Sequence, residues 1–141
     1  MEHLEEIAAA VELGRTGDRA AARRQLNDLW TFTADRQTRC AIAHYLADLQ
    51  DDVDAELMWD LRALELVEDD GWLPSLHLNL ADDYRRLAEP ELANEHLEAA
   101  RTRLSGLPED GYGQVIRGGV GHVAEALAAG SVQPLPSNPS T

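Results

Sequence analysis

Residues 80–100 read LADDYRRLAEPELANEHLEAA. Tyr84 is followed by a break at Glu89-Pro90, then by Ala93, Leu97 and Ala100 at steps of four and three. Such steps line up on one helical face. Proline fits a helix only in its first turn, where its missing N–H is not needed. The stretch predicts two helices meeting near Pro90, a helical hairpin.

The same pattern occurs twice upstream. Nine residues after Leu46 comes Ala55, with Trp59 four later; nine after Leu13 comes Ala22, then Leu26 and Leu29. An apolar pair ending in alanine precedes each start: Ala9 and Ala10 before Leu13, Ile42 and Ala43 before Leu46, Leu80 and Ala81 before Tyr84. The hinge alanines Ala22, Ala55 and Ala93 lie 33 and 38 residues apart, and the longer step contains Asp69-Asp70-Gly71-Trp72. A period of this size marks stacked helix pairs. Small Ala10, Ala43 and Ala81 would let the first helix of each pair approach its second. Leu26, Trp59 and Leu97 would fill the space between pairs.

This pattern resembles the tetratricopeptide repeat (TPR), a helix–turn–helix unit of about 34 residues. The resemblance covers three degenerate repeats over residues 3–105, with Glu6, Arg39 and His77 where the family carries an aromatic. It implies an all-α, right-handed stack of about three antiparallel helix pairs. Val120, Val123, Ala124 and Leu127 would form a C-terminal capping helix. It also implies a concave groove lined by the first helix of each pair. The family positions fall on Leu4, Ile7, Val11 and Arg15, on Gln37, Cys40, His44 and Asp48, and on Ser75, Leu78, Asp82, Arg85 and Arg86. Arg15, Gln37, Cys40, His44, Asp48, Leu78, Asp82, Arg85 and Arg86 are therefore the candidate peptide-binding residues. Arg85 and Arg86 offer bidentate pairing to a partner carboxylate. Family members that grip chaperone C-termini use a Lys/Asn clamp. This chain has no Lys, and Val11 and Asp48 stand at the clamp's Asn positions.

Local signals place the helices. Apolar Leu4, Ile7, Ala8 and Val11 predict a first helix over residues 2–13. Asp18, Thr33 or Asp35, and Asp51 or Asp52 suit the starts of the next three. Pro74 and Pro90 suit the first turns of the fifth and sixth. Pro108 opens a last segment whose clearest helix is residues 120–129. Residues 1–130 are expected to form one helical domain, and the polar, Pro-rich residues 131–141 a disordered tail.

Composition bounds the function. The chain has 141 residues, 44% of them apolar and only 5% aromatic, which favours packed helices over sheets. Twenty-six acidic against 12 basic residues, all of them Arg, give a net charge of −14. Phosphate backbones and anionic membranes repel such a chain, so neither nucleic acid nor membrane is an expected partner. The start, MEHLEEIAAAVELG, is acidic where a signal peptide is basic. With the single Cys40, this predicts a soluble cytoplasmic protein.

No catalytic or cofactor motif completes itself. Gly119-Val-Gly121-His-Val-Ala124 fits the dinucleotide pattern G-x-G-x-x-A, but no acid follows about 20 residues later. Glycines that let a helix pack closely account for it better. The acidic runs at Asp51-Asp52-Val53-Asp54 and Glu68-Asp69-Asp70 lack the Gly and Glu of a calcium loop. The five histidines form no H-x-x-x-H.

The expected function is therefore a non-catalytic protein- or peptide-binding scaffold, a TPR-like adaptor without metal or cofactor. Two alternatives stay open. One is homo-oligomerisation through Trp30, Trp59, Trp72 or the last helix. The other is a small helical enzyme or ligand-binding protein using His44, His77 or His96 in a cleft.

Overall fold

The computed structural model describes all 141 residues, Met1–Thr141. It is all-α. Seven helices run α1 (Leu4–Arg15), α2 (Arg19–Phe32), α3 (Arg36–Asp48), α4 (Val53–Leu66), α5 (Leu73–Arg86), α6 (Pro90–Arg101) and α7 (Gly111–Ala128), with no strand. Short 3₁₀ turns at Asp70–Trp72 and Leu104–Gly106 precede α5 and α7. No helix is long and apolar enough to cross a membrane.

The predicted start signals work through side-chain capping. Asp18 accepts from the Ala21 N–H at 3.2 Å, Asp35 from Thr38 at 2.9 Å and Asp52 from Asp54 at 2.9 Å. Each satisfies a backbone donor that a helix start leaves orphaned. Pro74 and Pro90 lie in the first turns of α5 and α6. The hairpin at residues 80–100 turns on Ala88, at φ 60. There the Glu89 N–H donates to the Tyr84 carbonyl at 2.9 Å and the Ala88 N–H to Arg85 at 3.1 Å, a Schellman stop. Gly17 and Gly130 end α1 and α7 in the same way, with positive φ.

The last helix differs from expectation. It starts at Gly111 rather than near Val120. Its five glycines argue against a helix on propensity alone. Local contacts at the helix start oppose this: the Asp110 side chain caps the Gly113 N–H at 2.9 Å, and a Cβ on Gly113 would lie 2.0 Å from the Pro108 carbonyl oxygen.

The chain divides into two compact units, residues 1–68 and 69–141. In the first, α1 packs on α2, α2 on α3 and α3 on α4. Ala10, Ala22, Leu26, Ile42, Ala43, Leu46 and Ala63 are fully buried there. Trp30 and Trp59 meet edge to face at 5.0 Å, with the Arg39 guanidinium 3.8 Å over Trp30 and Arg62 4.6 Å over Trp59. These aromatic and cation–π contacts engage the rings internally. In the second unit, α5 packs on α6, and α7 packs on both. One cluster joins Leu78, Ala81, Leu97, Ala100, Leu107, Ile116, Val120 and Val123.

Residues 131–141, expected to be disordered, lie against this cluster. Leu135 packs on it, and Pro139 is buried with its carbonyl against Gly119.

Leu97 is 2% exposed, at the centre of the second core. Leu97→Ala is expected to cost about 2–5 kcal/mol through lost contacts and a cavity. Urea denaturation measures it; a loss under about 0.5 kcal/mol, the size of an ordinary surface substitution, would place the residue outside the core.

Candidate functional site

The residues proposed for a helix-lined groove are mostly interior. Cys40, Leu78, His44, Arg85 and Asp82 are all buried. Gln37 is half-buried, and its side-chain oxygen accepts from the Glu68 N–H at 2.7 Å. Arg15 is exposed and pairs only with Glu12, one turn away at 3.3 Å. Burial pushes the Asp48 carboxyl well above the usual carboxylate range; Asp60 and Glu56 add repulsion and Arg19 opposes it. Burial also holds the His44 imidazole down to about 4. Of these groups, Cys40, Leu78, His44, Arg85 and Asp82 lie inside the fold and Arg15 lies on its surface.

Arg85 and Arg86 are likewise engaged at home. The Asp82, Asp83, Arg85 and Arg86 positions fall one helical turn apart on α5, which makes pairing a local matter. Arg85 donates from Nε at 3.1 Å and Nη2 at 2.8 Å to Asp82 Oδ1. Its Nη1 donates to the Ser131 carbonyl at 2.8 Å. Arg86 donates from Nε to Asp82 Oδ2 and from Nη2 to Asp83 Oδ1, both at 3.0 Å. A partner carboxylate would have to displace these bonds. Arg85 and Arg86, expected as a cationic docking end, take part in an internal network that ties α5 to the root of the C-terminal segment.

Two histidines come together as sequence spacing could not show. His77 on α5 and His96 on α6 face each other with Nδ1 atoms 3.0 Å apart, and Tyr84 stacks on His96 at 5.5 Å. One ring donates its Nδ1–H to the other's Nδ1, which requires at least one neutral imidazole. Burial lowers His77 to about 4, with the His96 and Arg103 charges acting in the same direction. Burial lowers His96 too, against the pull of Glu95. The pair joins α5 to α6, and neither ring lines the α7 groove.

An open groove of about 940 Å³ runs the length of α7. Val115, Gly118, His122, Ala126 and Ala129 form its floor at steps of three and four, and the segment from Leu135 to Pro139 forms a wall. Two glycines do different work here. A Cβ on Gly119 would meet the Pro139 carbonyl at 2.0 Å and Leu78 Cδ2 at 2.8 Å, so only glycine admits the wall. A Cβ on Gly118 would meet nothing within 4 Å. A helix-interior glycine costs about 0.5–1 kcal/mol relative to alanine, and no internal contact offsets it at Gly118. Both lie inside the helix, so their N–H groups are committed to the helical ladder and cannot cradle a pyrophosphate. Val115 remains 38% exposed on the open floor, an apolar residue facing free space. The groove was missed because its floor consists of small residues and its wall of a segment read as disordered. The available signal was the three-and-four spacing of residues 111, 115, 118, 122, 126 and 129.

Compared with known proteins, the chain matches no family model, no curated protein and no solved structure. The geometry alone carries the functional reading.

Two outcomes follow. Arg85→Leu is expected to cost about 3–5 kcal/mol, because it leaves buried Asp82 short of a partner; equilibrium unfolding checks it. The histidine pair has folded-state values below the unfolded value of 6.5, so the folded state resists protonation. Its contribution is complete above 6.5 and is lost as the pH falls towards about 4. Thermal melts of wild type and a His77→Gln/His96→Gln variant over pH 4–8 should converge at the acid end; parallel profiles would refute the shift.

Proposed function

We propose that the chain is a non-catalytic, TPR-like scaffold that binds a peptide or protein segment, and that the α7 groove is its binding surface. The carrying observation is the groove itself: long, open, mostly apolar along its floor, and walled by the irregular segment from Leu135 to Pro139. Extended peptides bind such surfaces through shape and a few polar contacts, without reacting groups.

The repeat reading draws support from burial. In the first and third hairpins the small positions Ala10, Ala22, Ala81 and Ala93 are all fully buried, as close helix approach requires. Leu26, Trp59 and Leu97 are buried at the equivalent position of each hairpin. The second hairpin departs at its hinge, where Ala55 is only half-buried. On this reading α7 is the cap that closes the array, and its outward face serves binding.

Gly118→Leu separates binding from folding. The new side chain meets no neighbour at its Cβ, and replacing glycine removes a helix penalty of about 1 kcal/mol. The variant should be at least as stable as wild type by thermal melt. It should lose, by tenfold or more, the proteins that immobilised wild type captures from a cell extract. Equal capture by both would reject the groove as the binding surface.

A further inference from the structure

We propose that the α7 groove is specific for an uncharged Leu-Pro-x-x-Pro segment, and that residues 131–141 of the chain itself are the resident occupant, so that the Gly119 side of the site is self-blocked. The inference rests on the peptide-binding reading above and names its ligand class and its regulation.

The seat is built at three points. Buried Arg85 holds the root of the segment through the Ser131 carbonyl at 2.8 Å. Leu135 reaches the cluster of Leu78, Ile116, Val120 and Val123. Four residues on, Pro139 is buried with its carbonyl in the notch that Gly119 leaves open. Asn138, just before Pro139, closes a turn around it: its side-chain oxygen accepts from the Ser140 N–H at 2.9 Å. Leu135 and Pro139 therefore define the spacing that the seat reads, and the chain bends between them at Pro136 and Ser137.

Charge and entropy favour the same class of ligand. Residues 130–141, GSVQPLPSNPST, contain no charged side chain, whereas the chain carries −14. An acidic segment would be repelled, and an uncharged one is not. Prolines at 134, 136 and 139 restrict the free segment, so little conformational freedom is lost on seating. The occupant fills only the Gly119 side of the groove. The Gly118 side stays open, which gives an incoming segment a foothold before it displaces the resident one.

Tethering makes the block effective. A short connection gives the resident segment an effective concentration of about millimolar, so a free segment of equal affinity competes poorly. Releasing the resident segment should therefore expose the site without altering its helical floor.

The test uses the full chain and a fluorescent peptide of residues 130–141. Leu135→Ser/Pro139→Ala weakens the resident segment and leaves α5 and α7 untouched. Fluorescence anisotropy should show this variant binding the peptide at least tenfold more tightly than wild type. Adding Gly118→Leu or Gly119→Val should remove that binding. Hydrogen exchange at Ser140 and Thr141 should be slow in wild type and fast in the released variant. Binding no tighter in the released variant, or rapid exchange of these amides already in wild type, overturns the self-blocking site. Such a result would leave the adaptor reading to its own capture experiment: proteins lost from Gly118→Leu with no peptide binding would mean a groove for a different ligand.

Discussion

Close approach of helices at positions without side-chain bulk is the constraint on which the rest depends. The helices of this chain have 12 to 18 residues, a length at which isolated helices are marginal in water. They hold through contact with each other. Within the first unit, Ala10, Ala22 and Ala43 are fully buried; within the second, Ala81, Ala93 and Ala100 are. At each, a larger residue would push two backbones apart and loosen the leucine contacts around it. The glycines of α7 extend the rule to its limit. Gly113 and Gly119 bring the helix against the backbone of Pro108 and Pro139, where even one methyl group would not fit.

The second unit adds a polar constraint. Buried Arg85 and Asp82 share two hydrogen bonds, and Arg85 also reaches Ser131. Two buried charges are costly to desolvate and persist when paired and hydrogen-bonded. The third bond is informative, because it spends a buried cation on the carbonyl of a terminal segment. That segment is thereby joined to the same core as α5, and further on its Pro139 carbonyl sits in the notch at Gly119 of α7. Core packing, the ion network and the proposed binding groove are thus one connected piece of structure.

The acidic character of the chain sits largely outside this piece. Asp18, Asp35, Asp52 and Asp110 cap helices, and Asp51 meets Arg23 at 3.3 Å on the surface. Such exposed pairs contribute little to stability. Their summed field acts on partners instead, and it disfavours an acidic ligand at the α7 groove.

Much of the local structure was legible because it follows from short-range chemistry. Capping aspartates, prolines in first turns and apolar steps of three and four located six of the seven helices to within a few residues. The hairpin of residues 80–100 was readable from the break at Pro90 and the face formed by Ala93, Leu97 and Ala100. The start of α7 was not, because glycine-rich helix depends on what packs against it. The candidate site was largely illegible. Arg85 and Arg86 look identical as sequence, yet Asp82 and Ser131 bury one and leave the other partly exposed. His77 and His96 are 19 residues apart, and only the packing of α5 on α6 brings their rings into contact. The sequence by itself determined the helices, their ends and the small-residue faces, because these depend on neighbours within one or two turns. The tertiary structure alone decided which charges are paired, where the terminal segment lies and which face of α7 stays open, because these depend on residues tens of positions apart meeting in space.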